Sequence, residues 1–469
     1  MEKLKIRKRR NDAFISAFCV VFFVALSHLG FFLRDYLMIY KFGFTRELDA
    51  FNLALLLPMF FVGIFSIPFG QASISFLHKI SNSNLDIVKQ TINSLFTSIF
   101  VIMFFLSLVL YIFSDVLYYF LSSTLTINPK FSSNLANKIS IILLFLSGPL
   151  ILSNSISSLN NRLVFPSIAQ LIVPFSSISF LFLFGGAYHV LSVIFGMIFG
   201  QFLNLCIVYY FNSKEDLIFD RILVRNDILL KNKFWGSYAS LISISVFSSI
   251  IILVNTLYAS SLGPGSLSIY SLASKLTLAI ITLLTSVFNM VLLPYFSGIA
   301  NNFHKDFMDR EISLFLFLGT LISIPISIFL FIFSDLFVFY LFDNIGESKV
   351  NLQQISGVMK YSFLQLPFWV FNMTILRHAN AIRRIKFVVI ISCLSFVVNA
   401  ILSFNLIKYM SLSGLSLSVS VSVGISSLLM LIFYTCHNTL KVKNALTIAL
   451  AWIFFMLLIV IIKVNNLSF

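Results

Sequence analysis

Ser27–Gln71 reads SHLGFFLRDYLMIYKFGFTRELDAFNLALLLPMFFVGIFSIPFGQ and places three charged side chains inside apolar sequence of helical length. They are Arg34, Asp35 and Asp49. A charge at the centre of a membrane-spanning helix costs roughly 2.5–3.5 kcal/mol on insertion scales, so it normally faces a partner or a water-filled cavity. This stretch therefore predicts membrane-spanning helices with a polar interior.

The first of these helices is expected to have a polar face. Residues seven apart are separated by nearly two helical turns and so lie on one stripe. Lys41, Arg34 and Ser27 share such a stripe, and Asp35 and His28 share another, about 100° round the helix.

The composition excludes an ordinary soluble protein. Hydrophobic residues make up 59% of the chain and charged residues 10%, with a mean hydropathy of +0.99, whereas soluble domains carry about 25% charged residues. We therefore predict a polytopic membrane protein. The net charge of +15 also suits the basic cytoplasmic loops of such proteins, so no nucleic-acid partner is expected.

The chain carries no recognisable signature of catalysis or metal binding. Its four cysteines lie within or at the ends of apolar segments without C-x-x-C spacing, which indicates neither a disulfide framework nor a metal site. G-x-S-x-G, H-E-x-x-H and P-loop patterns are absent from the sequence. We therefore predict a protein that is not an enzyme, with no catalytic residues, no cofactor and no metal.

Apolar stretches of about 20 residues predict an all-α protein with thirteen membrane-spanning helices. The basic start, MEKLKIRKRR, leads into an apolar stretch too long for a signal peptide and without a small-residue cleavage site, so the first helix is expected to be retained. The predicted helices lie near residues 13–40, 47–78, 90–114, 136–159, 165–184, 187–211, 236–260, 267–297, 312–333, 352–376, 385–406, 412–435 and 444–463.

Basic residues predict the orientation of these helices. With the N-terminus in the cytoplasm, cytoplasmic segments hold 22 lysines and arginines and outer segments hold 8, which together with Arg34 and Lys275 account for all 32. This asymmetry over short loops follows the positive-inside rule.

The longest polar connection divides the chain into two sets of six helices. It is rich in charge and predicts either a short amphipathic helix on the membrane surface or a plain linker. The predicted domains are an N-terminal six-helix lobe at 1–211, this cytoplasmic connection at 212–234, a C-terminal six-helix lobe at 235–437 and an additional helix at 438–469.

The two lobes are expected to be pseudo-repeats, as in two-lobed transporters whose site lies between the lobes. Chance similarity between apolar helices is the alternative explanation. The spacing of Gly43, Ala54 and Ser75 parallels that of Gly263, Ala273 and Pro294.

The opening of the chain resembles a known family. The pattern S-x-x-L-G-F-x-R-D, a glycine turn, and then D-A-F-x-x-A-x-x-x-P is similar to the start of the MurJ/MviN lipid II flippases. The resemblance covers roughly residues 13–435, with further matches at Asn161-Arg162, Pro166, Asn255–Ser260, Gly265–Ser268, Ala273–Lys275, Leu293-Pro294 and Gly414–Ser418. That family typically has fourteen helices, two beyond a twelve-helix body, whereas this chain predicts one.

The resemblance implies a lipid flippase of the bacterial cytoplasmic (inner) membrane. It would move an undecaprenyl-diphosphate-linked saccharide, with lipid II the first choice, to the outer leaflet by alternating access. The alternatives are a polysaccharide or O-antigen repeat-unit flippase, a drug or cation antiporter of the same superfamily, and a non-transporting scaffold that recruits cell-wall enzymes. The expected partners are the lipid-linked saccharide diphosphate, membrane lipids and cell-wall synthesis enzymes, and the expected state is a monomer.

The predicted substrate-binding residues are Arg34, Lys275, Asp35, Asp49 and His28. The family carries a cavity arginine where this chain has Lys275, and its first arginine falls at His28 or at the residue before it. A lysine that snorkels to the interface is the alternative for Lys275, and a structural ion pair is the alternative for Arg34 with Asp35 or Asp49. Acids are so scarce that any ion coupling would fall to Asp35, Asp49 or His28.

Overall fold

The computed structural model describes residues 2–80, 85–123, 131–159, 164–213, 234–282, 305–342, 349–381, 386–437 and 440–464. Within these residues, helices joined by short turns make up the structure, and there are no strands. The helices are α1 (Glu2–Phe42), α2 (46–80), α3 (Leu85–Ser123), α4 (Phe131–Leu159), α5 (164–188), α6 (Leu191–Ser213), α7 (Phe234–Ser260), α8 (Ser266–Thr282), α9 (Lys305–Phe342), α10 (349–381), α11 (386–410), α12 (412–436) and α13 (Val442–Val464).

Several of these helices are interrupted. A π-helical turn, Val62–Ser66, separates the two halves of α2. Short breaks also divide α5, after Val164–Gln170, and α10, after Lys349–Phe363. The run Lys386–Cys436 kinks at Ser411, which separates α11 from α12.

Within the described residues, these thirteen helices confirm the number predicted from the apolar stretches. Ten helical runs are long and apolar enough to cross a membrane. Two further helices fall short of that criterion: α8, Ser266–Thr282, is shorter than the other spans, and α10 is broken into two short pieces. The thirteenth comes from counting α11 and α12 separately.

The helix ends were predicted less well than the helix number. The third and ninth helices were predicted at 90–114 and 312–333, but α3 and α9 contain 39 and 38 residues. At 1.5 Å per residue each is about 57 Å long, well beyond a hydrocarbon core of about 30 Å. Hydropathy falls at the membrane interface while the helix continues, so Asp115 and Asp335, which follow the predicted ends at 114 and 333, lie inside α3 and α9.

The chain forms two compact units. The N-terminal unit contains Met1–Ser249 and Gly263–Gly265, and the C-terminal unit contains Ile250–Leu262 and Ser266–Phe469. The start of α7 belongs to the N-terminal unit, where the ring of Tyr238 lies 5.2 Å from that of Phe69 and its Oη donates to the Phe65 carbonyl at 3.2 Å. Residues 214–233, most of the predicted connection, lie outside the described residues, and the predicted domain boundaries stay predictions.

Serine hydroxyls from neighbouring helices satisfy carbonyls that prolines leave open. Pro58 inside α2 has no N–H to offer the Ala54 carbonyl one turn earlier. Ser140 of α4 reaches that carbonyl instead, at 2.7 Å, and shares its one hydroxyl hydrogen between it and the Asn137 carbonyl of α4, at 2.8 Å. In the C-terminal unit, Ser327 of α9 donates at 2.7 Å to the Phe363 carbonyl, four residues before a proline. Helix-breaking prolines are tolerated in membranes because such side chains restore the lost bond.

A four-residue motif recurs in both units and ends in a matched ion pair. The letters I-F-S-D occupy residues 112–115 of α3 and 332–335 of α9. Lys138 of α4 pairs with Asp115 at 3.0 Å, and Lys360 of α10 pairs with Asp335. Each unit therefore joins its third helix to its fourth helix in the same way.

A second shared feature is the turn between the fifth and sixth helices of each unit. His189, between α5 and α6, has φ 47° and ψ −129°, and Ser411, between α11 and α12, has φ 51° and ψ −133°. Positive φ is uncommon for residues other than glycine. Its recurrence at corresponding positions, together with the duplicated ion pair, confirms the predicted pseudo-repeat.

The additional helix α13 packs within the C-terminal unit. Trp452 is 3% exposed and lies edge-on to Phe368 and Phe371 of α10, with ring centroids 5.2 and 4.8 Å apart. The Asn444 amide donates to the Ser313 hydroxyl of α9 at 2.6 Å. The buried indole and this hydrogen bond hold α13 against α9 and α10.

Candidate functional site

Arg34 is a buried cation about two turns before the C-terminal end of α1. Arg34 is 4% exposed, and both its Nε and its Nη2 donate to Oδ1 of Asp35, at 2.9 and 2.6 Å. Adjacent helix residues point about 100° apart, so the long arginine side chain folds back to reach its neighbour. The carboxylate compensates the charge that makes this position costly in a membrane.

Two aromatic rings and one sulfur atom complete the surroundings of Arg34. Its Cζ lies 5.2 Å from the ring centroid of Phe31 and 5.9 Å from that of Phe51. Its Nη1 donates to Sδ of Met197 at 3.3 Å. Phe31 lies one turn earlier on α1, whereas Phe51 comes from α2 and Met197 from α6. Three helices of the N-terminal unit therefore meet at the guanidinium.

Asp49 has a different environment, in the first turn of α2. It is 2% exposed, and Oδ2 accepts a hydrogen bond from the backbone N–H of Gly265 at 2.6 Å. Gly265 has φ 83°, and a Cβ there would lie 2.8 Å from the Phe44 carbonyl oxygen. Only glycine fits both the conformation and the space. Asp49 thus anchors the short Gly263–Gly265 segment onto the N-terminal unit.

The polar stripe predicted on α1 is partly buried. Ser27 is 0% exposed, and His28 is half-buried. Lys41, at the exposed end of the stripe, donates to the Leu181 carbonyl of α5 at 3.2 Å. The stripe therefore packs within the N-terminal unit, and the substrate-binding roles of His28 and Asp49 stay predictions.

Lys275 lies in α8 of the C-terminal unit and is exposed. Its role in substrate binding also stays a prediction.

The same unit contains a buried network of uncharged side chains. In it Ser403 donates to Oδ1 of Asn255 and shares a hydrogen bond with Ser418, both at 2.7 Å, and Asn399 donates to Ser418 at 3.2 Å.

Sequence reasoning missed the residues that surround Arg34. Phe31 and Phe51 lie inside the opening motif, and helical spacing could have placed Phe31 on the arginine face. Met197 follows Arg34 by 163 positions. It lies inside a G-x-x-x-G pattern, Gly196 to Gly200, which indicates a closely packed helix face but does not show that this face meets α1.

Comparison with known proteins assigns most of the chain to one family. Residues 38–467 match the family model of the lipid II flippase MurJ. A probable lipid II flippase MurJ of Borreliella burgdorferi is 26% identical, covering 96% of this chain and 87% of that protein. One from Buchnera aphidicola subsp. Baizongia pistaciae is 26% identical, covering 86% and 80%.

Solved structures share the fold. A lipid II flippase MurJ in an inward closed conformation superposes with a TM-score of 0.72 at 20% identity, covering 95% of this chain and 92% of that one. The Vibrio cholerae MATE transporter VcmN in its bent form superposes with a TM-score of 0.67 at 14% identity, covering 94% and 98%. Since the family model spans nearly all of its length, the chain belongs to the lipid II flippase MurJ family.

Proposed function

We propose that this protein moves lipid II from the cytoplasmic to the outer leaflet of the bacterial cytoplasmic membrane. Lipid II is a saccharide linked to undecaprenyl through a diphosphate, and the protein carries it without bond chemistry. The observation that carries the proposal is Arg34, a buried arginine in a membrane-spanning helix that pairs with one carboxylate, Asp35, among the described residues.

The diphosphate is the part of the substrate that Arg34 is suited to bind. Arginine presents paired N–H groups that match phosphate oxygens, and lysine binds phosphate as a point charge. In this proposal the diphosphate replaces Asp35 on Arg34, and Lys275 supplies a second cation during alternating access. Asp35 returns to Arg34 when the substrate leaves, so the buried charge is never left uncompensated.

The remaining candidate residues have supporting roles. Asp49 holds the Gly263–Gly265 segment through the backbone bond described above. His28 lies about one and two-thirds helical turns before Arg34 and contributes a polar group to the substrate path.

The proposal includes a cytoplasmic N-terminus, supported by the excess of lysine and arginine in alternate connections. It also includes a monomer that delivers its substrate to cell-wall synthesis enzymes. The family match favours lipid II over a polysaccharide repeat unit, a drug or a scaffolding role.

Complementation of a flippase-deficient strain tests this function. We expect wild-type protein to restore growth and Arg34→Ala to abolish it at equal membrane abundance. Lys408→Ala is the matched control, because Lys408 is an exposed cation that stacks on Phe404 at 4.3 Å, far along the chain from the proposed site. Full activity of Arg34→Ala would refute the assigned site, and failure of wild-type protein would refute the function.

A further inference from the structure

Arg34 is under-satisfied for a buried guanidinium. Arginine has five N–H donors. Two of them converge on one oxygen of Asp35 and a third meets the sulfur of Met197. Among the residues that the structure describes, the other two N–H groups have no acceptor, and the rings of Phe31 and Phe51 lie 5.2 and 5.9 Å from the guanidinium carbon. Aromatic faces attract a cation but do not replace hydrogen-bond acceptors.

Met197 supplies the weakest of the acceptors that Arg34 has. A thioether sulfur accepts hydrogen bonds poorly, whereas charge-assisted bonds to phosphate are roughly twice as strong as neutral bonds. A methionine side chain also has three rotatable bonds and repacks readily. Exchange of this sulfur for a phosphate oxygen therefore gives Arg34 a stronger acceptor.

The backbone of α6 is held in place around Met197. A Cβ at Gly196 would lie 2.6 Å from Cα of Ser177, and one at Gly200 would lie 2.7 Å from Cα of Val173. These glycines let α6 lie directly against α5, so the position from which Met197 reaches Arg34 is fixed. Met197 itself is 6% exposed.

We propose that Met197 is a displaceable ligand of Arg34, which holds the Nη1 position until a phosphate oxygen of the substrate takes it. The inference rests on the proposed function and names a residue that sets how tightly Arg34 binds the substrate. Met197 is a positioning residue: it keeps the guanidinium oriented while the site is empty and moves aside on binding.

Two substitutions of similar size distinguish this role from simple packing. Met197→Gln places an amide oxygen, a stronger acceptor, at a similar distance from the backbone. The substrate must then displace a stronger hydrogen bond to Arg34. Met197→Leu removes the acceptor and keeps the apolar volume. In vesicles containing a labelled undecaprenyl-diphosphate disaccharide, we expect the KM of Met197→Gln to rise about tenfold, or about 1.4 kcal/mol, and that of Met197→Leu to fall about threefold. The maximal rate should change little in either variant.

A measurement on wild-type protein covers the case in which Met197→Gln does not fold. The methionine methyl groups are labelled and observed by NMR. The signal that is missing from the spectrum of Met197→Leu belongs to Met197, and it should shift when the labelled lipid is added. The signal of Met103, which accepts from Ser66 at 3.4 Å in another part of the unit, should not move.

The outcomes separate the two proposals. If wild-type protein does not transport the lipid, the proposed function is overturned. If wild-type protein transports it, but the two variants have the same KM or the Met197 methyl signal does not shift on addition of lipid, the Met197 proposal is overturned and the function stands.

Discussion

Replacing Ser140 by alanine should destabilise the N-terminal unit, because it leaves a buried carbonyl without a donor. Ser140 is 0% exposed and donates at 2.7 Å to the carbonyl of Ala54, which is also 0% exposed. Pro58 cannot supply the backbone N–H that an ordinary helix would place there. A buried carbonyl left unpaired costs about 1–3 kcal/mol, and hydrogen bonds between membrane helices average about 0.6 kcal/mol.

We therefore expect Ser140→Ala to lower the free energy of unfolding by about 1 kcal/mol, the lower end of the cost of an unpaired carbonyl and somewhat above the average bond between membrane helices. For a unit of about this size the melting temperature should fall by about 2–4 °C. Thermal unfolding of the purified protein in detergent, followed by circular dichroism, measures the change.

A double-mutant cycle tests the physical reason. In a Pro58→Ala background the restored N–H satisfies the Ala54 carbonyl, so Ser140→Ala should then cost less than about 0.5 kcal/mol. Ser179→Ala is a control, because that exposed hydroxyl bonds only within its own helix, to the Phe175 carbonyl. Equal losses in both backgrounds would show that Ser140 does not compensate for the proline.

Three further predictions concern single features of the two units. Lys275→Arg should preserve complementation because both cations bind phosphate, whereas Lys275→Ala should reduce transport more than about tenfold. Asp335→Lys should lower the melting temperature by about 1–3 °C, and adding Lys360→Asp should restore it. Gly200→Leu should cost about 1–3 kcal/mol by overpacking against α5, while Gly186→Ala, whose Cβ would meet nothing within 4 Å, should be neutral in the same unfolding assay.

The helix count could be predicted because each membrane span needs about 20 apolar residues, a signal that loops interrupt clearly. The buried charge at Arg34 was equally readable, since arginine is rare in such sequence. The ends of the helices could not be predicted in this way. For example, α3 continues through the interface to Ser123, where hydropathy no longer distinguishes helix from loop.

The partners of the candidate residues could not be predicted from the sequence. Which face of α6 turns towards α1 depends on close packing at Gly196 and Gly200, so the contact of Met197 with Arg34 appears only in three dimensions. The bond from Gly265 to Asp49 likewise joins residues 216 positions apart. The repeated I-F-S-D motif is present in the sequence, but its meaning depends on the lysines that pair with it.

Measuring which gradient drives transport tests the proposed function most directly. A diphosphate carries about two negative charges, and each is worth about 2.3 kcal/mol per 100 mV, so outward movement from a negative interior gains about 4–5 kcal/mol. In vesicles with a labelled lipid-linked substrate, collapsing the potential at a constant pH gradient should stop export, and collapsing the pH gradient at a constant potential should not. Export that followed only the pH gradient would contradict this and would assign a titrating role to Asp35 or Asp49.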